Sequence, residues 1–299
     1  MNRSAKALGR HSLTFVVVIC AICLTPPAPR ATVTSADGLI GRPQQYLVGE
    51  NESLVEIARK FDLGFNAIAD ANPGVDPFIP AAGTRITIPT VWILPPASKL
   101  ATIVVNIPEF RLYFFPVRSS GEVVTFPLGI GDEGTDTPTG SYTVTEKIIR
   151  PAWHVPESIR AQLPALPKVV PPGPDNPMGS HALRLSLASV LIHGTNKPWG
   201  IGRRSSHGCL RLYPEDIIRL FKLVRKGTPV VIVDQPIKVG LEGERVFVEV
   251  HRYEGAESSV EQAMQMLSER GLLGRIDFSR LKVAMEEMNG MPIDITLTR

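Results

Sequence analysis

The sequence is short of cysteine, of charge of one sign and of long apolar runs, and each shortage narrows what the chain can be. Three cysteines in 299 residues exclude a disulfide-stapled scaffold. A formal net charge of +3, with no run of basic residues, gives no footprint for nucleic acid. The main apolar run, Leu13 to Leu24, falls short of the roughly 20 residues that a membrane span needs. What remains is 43% hydrophobic and 20% charged, an ordinary balance for a folded protein, so disorder is not the default. The length allows one sizeable domain and a smaller one, each with its own core.

Arg3, Lys6, Arg10 and His11 precede the apolar run, and Pro26 and Pro27 break it. A basic start, a short apolar stretch and a small-residue tail describe an export signal. Residues 1–36 are expected to be a signal peptide with its cleavage region, cut near Ala31 or Ala36. An uncleaved anchor is the other reading. Ile19 and Ile22 stand before the first two cysteines, where a lipoprotein signal carries a small residue. Cys20 and Cys23 leave with the signal, so the mature chain holds Cys209 alone. A lone thiol is either buried and inert or kept for its reactivity.

Ala28 to Gln45 reads as a loose linker. A compact unit over 44–90 follows. Tyr46-Leu-Val48 is a short strand, and Ser53 with Glu56 forms a capping box. Leu54, Ile57, Ala58 and Phe61 recur at helical spacing, and Gly64 stops that helix. Asn66 is the expected cap of a second short helix, ended by Asn72-Pro73-Gly74, and Thr84 to Pro89 alternates as a closing strand. The order strand, helix, helix, strand, with Ala71-Asn-Pro-Gly and Gly83-Thr-Arg-Ile-Thr-Ile-Pro89, resembles a LysM module. That resemblance implies binding to glycan strands containing N-acetylglucosamine; a spacer without glycan affinity is the alternative. Asn51 stands where many such modules have glycine, and asparagine tolerates the left-handed conformation that this turn needs.

Val91 to Lys99, with Pro95 and Pro96, reads as a stiff linker. Residues 100–235 are β-rich. Strands are expected at Thr102–Ile107, Arg111–Phe115, Glu122–Phe126, Gly140–Thr145, Ala182–Ser186 and Val190–Ile192. Tyr213 to Val224 is the clear helix, and Pro229 to Asp234 a buried strand. The fold class is mainly β: a sandwich or barrel with a helix after the candidate nucleophile, plus the small α+β unit. Residues 236–299 form a C-terminal β/α extension: Arg245–Val250 as a strand, then amphipathic helices over Ser258–Arg270 and Asp277–Met288. Its expected part is added packing.

The chemistry concentrates between Ile192 and Leu212. A strand ends at Ile192 with His193 expected exposed at its tip, a glycine-rich loop follows, and Ser206-His207-Gly208-Cys209 precedes the helix. A thiol needs a nearby base or positive field to attack as thiolate, and His193 and His207 are the two candidate bases. The amides of His207, Gly208 and Cys209 can point together at an oxyanion, and the helix adds its positive end. Arg211 either steers a substrate carboxylate or braces the loop. Trp153 and Trp199 either line a groove or pack. A zinc site from His193, His207 and Cys209 lacks a second cysteine or a carboxylate. No metal or cofactor is expected.

His193-Gly-Thr, the loop, and Ser206-His-Gly-Cys-Leu-Arg211 resemble the active site of the YkuD-type L,D-transpeptidases. Thr137 to Val144 resembles that family's turn and strand. Gly173 to Gly179 and Asn106 to Tyr113 resemble its Gram-negative branch, which anchors outer-membrane lipoproteins or crosslinks stem peptides. The resemblance implies Cys209 as nucleophile and His193 as proton donor and acceptor, with the Gly194 carbonyl orienting the imidazole. His207, Gly208 and Arg211 become oxyanion or substrate residues. The implied reaction is attack on the L-centre carbonyl of meso-diaminopimelate in a tetrapeptide stem, release of D-alanine, and acyl transfer to an amine. The amine belongs to a second stem or to an outer-membrane lipoprotein. An L,D-carboxypeptidase or amidase using water is the alternative, and a non-catalytic wall-binding protein is the alternative of another class. Partners are then peptidoglycan stem peptides and glycan strands, the place is the periplasm, and the roles are wall biogenesis and cell shape.

Overall fold

In this computed structural model the described residues are 30–32, 38–96, 101–116, 122–187, 189–253 and 258–298. The expected signal segment lies largely outside them. Among the described residues no helix is long and apolar enough to cross a membrane.

The chain begins with β1 (Arg30–Thr32) and β2 (Leu39–Gly41), then the small module: β3 (Gln44–Leu47), α1 (Leu54–Lys60), α2 (Phe65–Asp70) and β4 (Arg85–Ile88). The α1 capping box between Ser53 and Glu56 is formed in both directions. Asn51 sits at φ 58°, the left-handed region. The cap of α2 differs from expectation: Gly64 takes that place and Asn66 lies inside the helix. Buried Asn72 ties the helix pair to the closing strand, donating to Ile68 O and Thr87 O and accepting from Thr87 N.

The described parts of both expected linkers hold strands. Val91-Trp-Ile93 forms β5, which pairs with β2, while β1 pairs along the β8 edge described below. Val91 to Leu94 is buried throughout. The prolines at 95 and 96 suggested a spacer, but four apolar residues before them have more to gain from burial than from solvent.

The mainly β body follows: β6 (Ile103–Asn106), β7 (Arg111–Phe114), β8 (Glu122–Pro127), β9 (Ile130–Gly131), β10 (Gly140–Ile149), β11 (Trp153–His154), α3 (Glu157–Gln162), β12 (Val169–Val170), β13 (His181–Leu185), β14 (Leu191–His193), β15 (Arg204–Ser206), β16 (Leu210–Arg211), α4 (Pro214–Leu223) and β17 (Pro229–Val233). Its main sheet has nine strands in the order β1-β8-β7-β6-β17-β10-β13-β14-β16. Strands β6 and β17 are parallel neighbours and both of their faces are covered. Ile103, Val105, Val230 and Ile232 enter the catalytic-side core. Val104 enters a second core with Leu54, Ile57, Ile68, Ile88 and Trp92 of the N-terminal segments, packed also by Val231 and Val233. Unbroken apolar runs are the pattern that two-sided burial requires. The small module therefore shares a core with the main sheet rather than hanging from it.

The C-terminal extension holds β18 (Ile237–Glu242), β19 (Arg245–Val250), α5 (Val260–Glu269), α6 (Phe278–Glu287) and β20 (Ile293–Asp294). Strand β18 was hidden in the sequence. Its Lys238 ammonium is 0% exposed and lies 2.8 Å from both Glu109 Oε1 and Glu249 Oε1. Glu249 accepts from Ile93 N at 2.5 Å and meets His251 Nε2 at 2.6 Å. Asn106 and Tyr113 donate to Glu109. One buried network thus joins the main sheet, β5 and the extension.

The small module also docks on α4. Tyr213 OH donates to Leu63 O at 3.0 Å, and Arg59 forms a two-point pair with Glu215 at 2.8 and 2.9 Å. Beneath them the Asp62 and Asp216 carboxyls abut, each with one oxygen closed to solvent and unpartnered. Two carboxylates have no donor to share, so the pair retains a proton. Burial raises Asp216 well above its ordinary value, and Asp62 adds to the shift. Burial also raises Asp62, against the pull of Asp216, Arg111 and Arg219.

Two outcomes are expected. Lys238→Met strands two buried carboxylates and should cost about 3–5 kcal/mol in chemical denaturation. The raised carboxyl pair contributes stability that is full below the ordinary aspartate pKa and is lost as pH rises through the raised value. The wild-type melting temperature should therefore fall with rising pH in that window, and Asp216→Asn should flatten the slope.

Candidate active site

Strands β14 and β16 are parallel, with Ile192 opposite Leu210 and His193 opposite Arg211. Paired residues share a face, and the face alternates along each strand. Ile192 and Leu210 point into the core. Leu191, His193, Arg211 and Cys209, the residue before β16, fall on the other face, and all four line one cavity of about 780 Å³. The parallel pairing thus puts the thiol and the imidazole on one face of the sheet, one register step apart along it.

His193 is 5% exposed, not displayed at the strand tip as expected. The sheet bond that continues past it, from Leu212 N to His193 O at 2.8 Å, keeps it in the strand rather than the loop. Its Nδ1 lies 2.6 Å from Gly194 O, which fixes the proton on Nδ1 and leaves Nε2 as the acceptor. Burial drives the imidazole down to about 4; Arg211 adds to this, and the Gly194 and Met178 backbones oppose it. At neutral pH the ring is therefore neutral and able to accept a proton.

Cys209 is half-buried and free. Burial pushes its thiol above the ordinary value, against the Leu191 amide, Arg211 and Arg184. The sulfur lies 3.7 Å from Ser189 O, its hydrogen-bond acceptor among the described residues. The resting site is thus a neutral thiol and a neutral imidazole on one face, not a preformed ion pair.

The loop that carries Cys209 is fixed from behind. Buried Ser206 donates through Oγ to Cys209 O at 2.6 Å, and its own carbonyl accepts from Asp132 N and Thr135 Oγ1. Thr137 Oγ1 accepts from Gly131 N, so the turn near Thr137 serves as the support of this loop. Gly208 takes φ +87°, a conformation that side chains resist. Among the described residues no backbone hydrogen bond engages the amides of His207, Gly208 or Cys209. His207 is exposed and lines the cavity, as do Trp153 and Trp199. Arg211 is half-buried, with Nε closed to solvent and unpartnered. The expected help from a helix end falls away, because β16 intervenes and α4 starts only at Pro214.

Two residues that sequence reasoning passed over hold the loop from the sides. Arg203 lies with its guanidinium carbon 3.7 Å from the Phe65 ring centroid, in the small module. Arg204 lies 4.7 Å from the Tyr253 ring centroid, in the C-terminal extension, and bonds its hydroxyl at 2.5 Å. The adjacent arginines before Ser205 were the visible signal; their aromatic partners, far away in sequence, carried none. Asn176, fully buried, donates to Pro151 O and accepts from Met178 N, setting the cavity wall that faces His193.

His193, His207 and Cys209 do not converge as a metal site. Among the described residues the group that does is Glu109, Glu249 and His251, and Lys238 already supplies the cation there.

A lone thiol and a neutral imidazole share one cavity at a sheet edge, and the comparisons give the family. The model of the L,D-transpeptidase catalytic domain, YkuD, matches residues 101–232, and that of the LysM domain matches 46–89. The chain is 40% identical to probable L,D-transpeptidase YcfS of Escherichia coli K12, over 95% of this chain and 94% of that protein. Probable L,D-transpeptidase YbiS of the same strain is 37% identical over 98% and 99%. Probable L,D-transpeptidase ErfK/SrfK of Salmonella typhimurium LT2 is 36% identical over 87% and 89%. The chain belongs to the L,D-transpeptidase family and is an enzyme of that class, with a LysM domain.

The electrostatics predict the pH profile. kcat/KM reports free-enzyme groups. It should hold level through neutral pH and fall toward pH 4 as His193 takes a proton. An acid limb near the ordinary histidine value of 6.5 in steady-state kinetics would contradict the buried, neutral imidazole.

Proposed function

We propose that this enzyme is a peptidoglycan L,D-transpeptidase in which Cys209 is the nucleophile and His193 the proton carrier. The observation that supports it most is the shared face of β14 and β16, which puts both groups on one cavity wall. The family membership supports a stem-peptide substrate.

The steps follow from the chain's own groups. The Cys209 side chain turns from Ser189 O toward the donor, and its sulfur attacks the L-centre carbonyl carbon of meso-diaminopimelate. As the C–S bond forms, the thiol proton passes to His193 Nε2. The Gly194 carbonyl holds the opposite nitrogen and steadies the imidazolium. The free amides of His207, Gly208 and Cys209 receive the oxyanion; one such donor is worth about 3 kcal/mol in other enzymes. The C–N bond to D-alanine breaks, and His193 returns the proton to the leaving amine. An acceptor amine then attacks the thioester, loses its proton to His193, and the C–S bond breaks as the sulfur regains a proton.

Because the resting thiol is protonated, ionisation and attack occur together once the donor is bound. The acceptor amine, from a second stem or a lipoprotein lysine, must displace water, which competes at far higher concentration. The LysM domain holds the enzyme on glycan strands, and the site of action is the periplasm.

Incubation of the full-length enzyme with tetrapeptide muropeptides, followed by mass spectrometry, tests the reading. The expected result is an acyl adduct on Cys209 with loss of D-alanine, and a product that is crosslinked or protein-linked rather than hydrolysed. Cys209→Ala should lose turnover to background, a drop of several orders of magnitude, while still binding sacculi. Retained turnover in that variant would falsify the cysteine mechanism.

A further inference from the structure

Arg203 and Arg204 are neighbours, yet their side chains go to opposite flanks of the loop. Arg204 is saturated: it donates to Gly131 O, Asp136 Oδ1 and Tyr253 OH. Arg203 is not. Its Nε is closed to solvent without a partner, and among the described residues its guanidinium has no hydrogen-bond acceptor or carboxylate. Burial alone lowers its pKa, with no counter-charge opposing the shift. It lines the same cavity as Cys209, His193 and Arg211.

A half-buried cation with one N–H closed to solvent and no counter-charge is an unmet demand. The Phe65 face holds the guanidinium flat. An aromatic face offers no acceptor to the edge N–H groups, whereas a carboxylate matches that edge in two-point geometry.

Phe65 cannot drift from the loop. Its amide donates to Ile201 O at 3.0 Å. The Gly202 and Gly64 backbones are in contact: a Cβ at Gly202 would lie 2.2 Å from Phe65 N. Behind it, the Phe78 ring stacks at 6.2 Å.

We infer that Arg203, held flat by Phe65 of the LysM domain, is a specificity-determining residue that binds a carboxylate of the acyl donor. The inference rests on the proposed function for the peptide nature of the donor. Phe65 is a positioning residue that acts through Arg203. The glycan-binding domain then takes part in choosing the donor peptide without touching it.

The test uses stem tetrapeptides with free carboxylates and the same peptides with one carboxylate at a time converted to the carboxamide. With the full-length enzyme, one amidated donor should show a KM roughly ten- to a hundredfold higher, the loss of one charged pair. Arg203→Gln should raise the free-acid KM to that of the amidated donor, so that the two no longer differ, and Arg203→Lys should restore part of the difference. Phe65→Leu should move the same KM in the same direction, and Phe65→Tyr should restore it. A merely structural Arg203 would instead lower kcat or the melting temperature alike for every donor, and that result overturns the inference. So does an Arg203→Gln enzyme that keeps the wild-type preference for the carboxylate. Calorimetric binding of the same peptides to Cys209→Ala, with and without Arg203→Gln, reads the preference without turnover. Absence of an acyl adduct with any stem peptide counts against the proposed function; an adduct with undiminished carboxylate preference in Arg203→Gln counts against Arg203 alone.

Discussion

The rest of the architecture depends on one fully buried ammonium. Lys238 sits between Glu109, in the turn joining β6 to β7, and Glu249 of the extension, and also donates to Ile93 O of β5. Taking three charges out of water is costly, and only near-complete pairing repays it. The network's geometry is specific in a way that apolar packing is not. A shifted extension would leave a carboxylate stranded, so the three segments have one way to fit. Tyr253 follows this junction in the chain and bonds Arg204 beside the Cys209 loop.

That loop is gripped from both sides by units that look dispensable in the sequence. Phe65 reaches Arg203 from one flank and Tyr253 reaches Arg204 from the other. Ser206 and the Thr137 turn close it from behind. An acyl-transfer site must hold its oxyanion donors within a fraction of an ångström, and a glycine-bearing loop does not do that unaided. Both accessory units add contacts to this loop. The C-terminal extension was expected to add packing, and its Tyr253 bonds Arg204 of this loop.

Much of the fold was legible in the sequence, because local chemistry wrote it. The Ser53 capping box, the β19 alternation and the Pro214 start of α4 each depend on residues a few positions apart. The candidate site was legible for a different reason: Cys209 is the one cysteine left once the signal segment is set aside, and His193 ends a strand. What sequence reasoning missed depends on distant partners. Pro95 and Pro96 made β5 look like a spacer, because its pairing with β2 and its bond to Glu249 lie far away. His193 looked exposed because a strand end usually is; the wall set by Asn176 buries it. The pairing of Arg203 with Phe65 carries no local mark at all.

The electrostatics of Cys209 have a consequence beyond turnover. Peroxide and disulfides react with thiolates and largely spare thiols. Burial holds this sulfur in the protonated form, and no second cysteine stands among the described residues to resolve a sulfenic acid. In the periplasm proposed above, an ionised Cys209 would be lost steadily to oxidation between cycles. Keeping the sulfur protonated while idle confines its reactivity to the interval when a donor fills the cavity, and so extends the working life of each molecule.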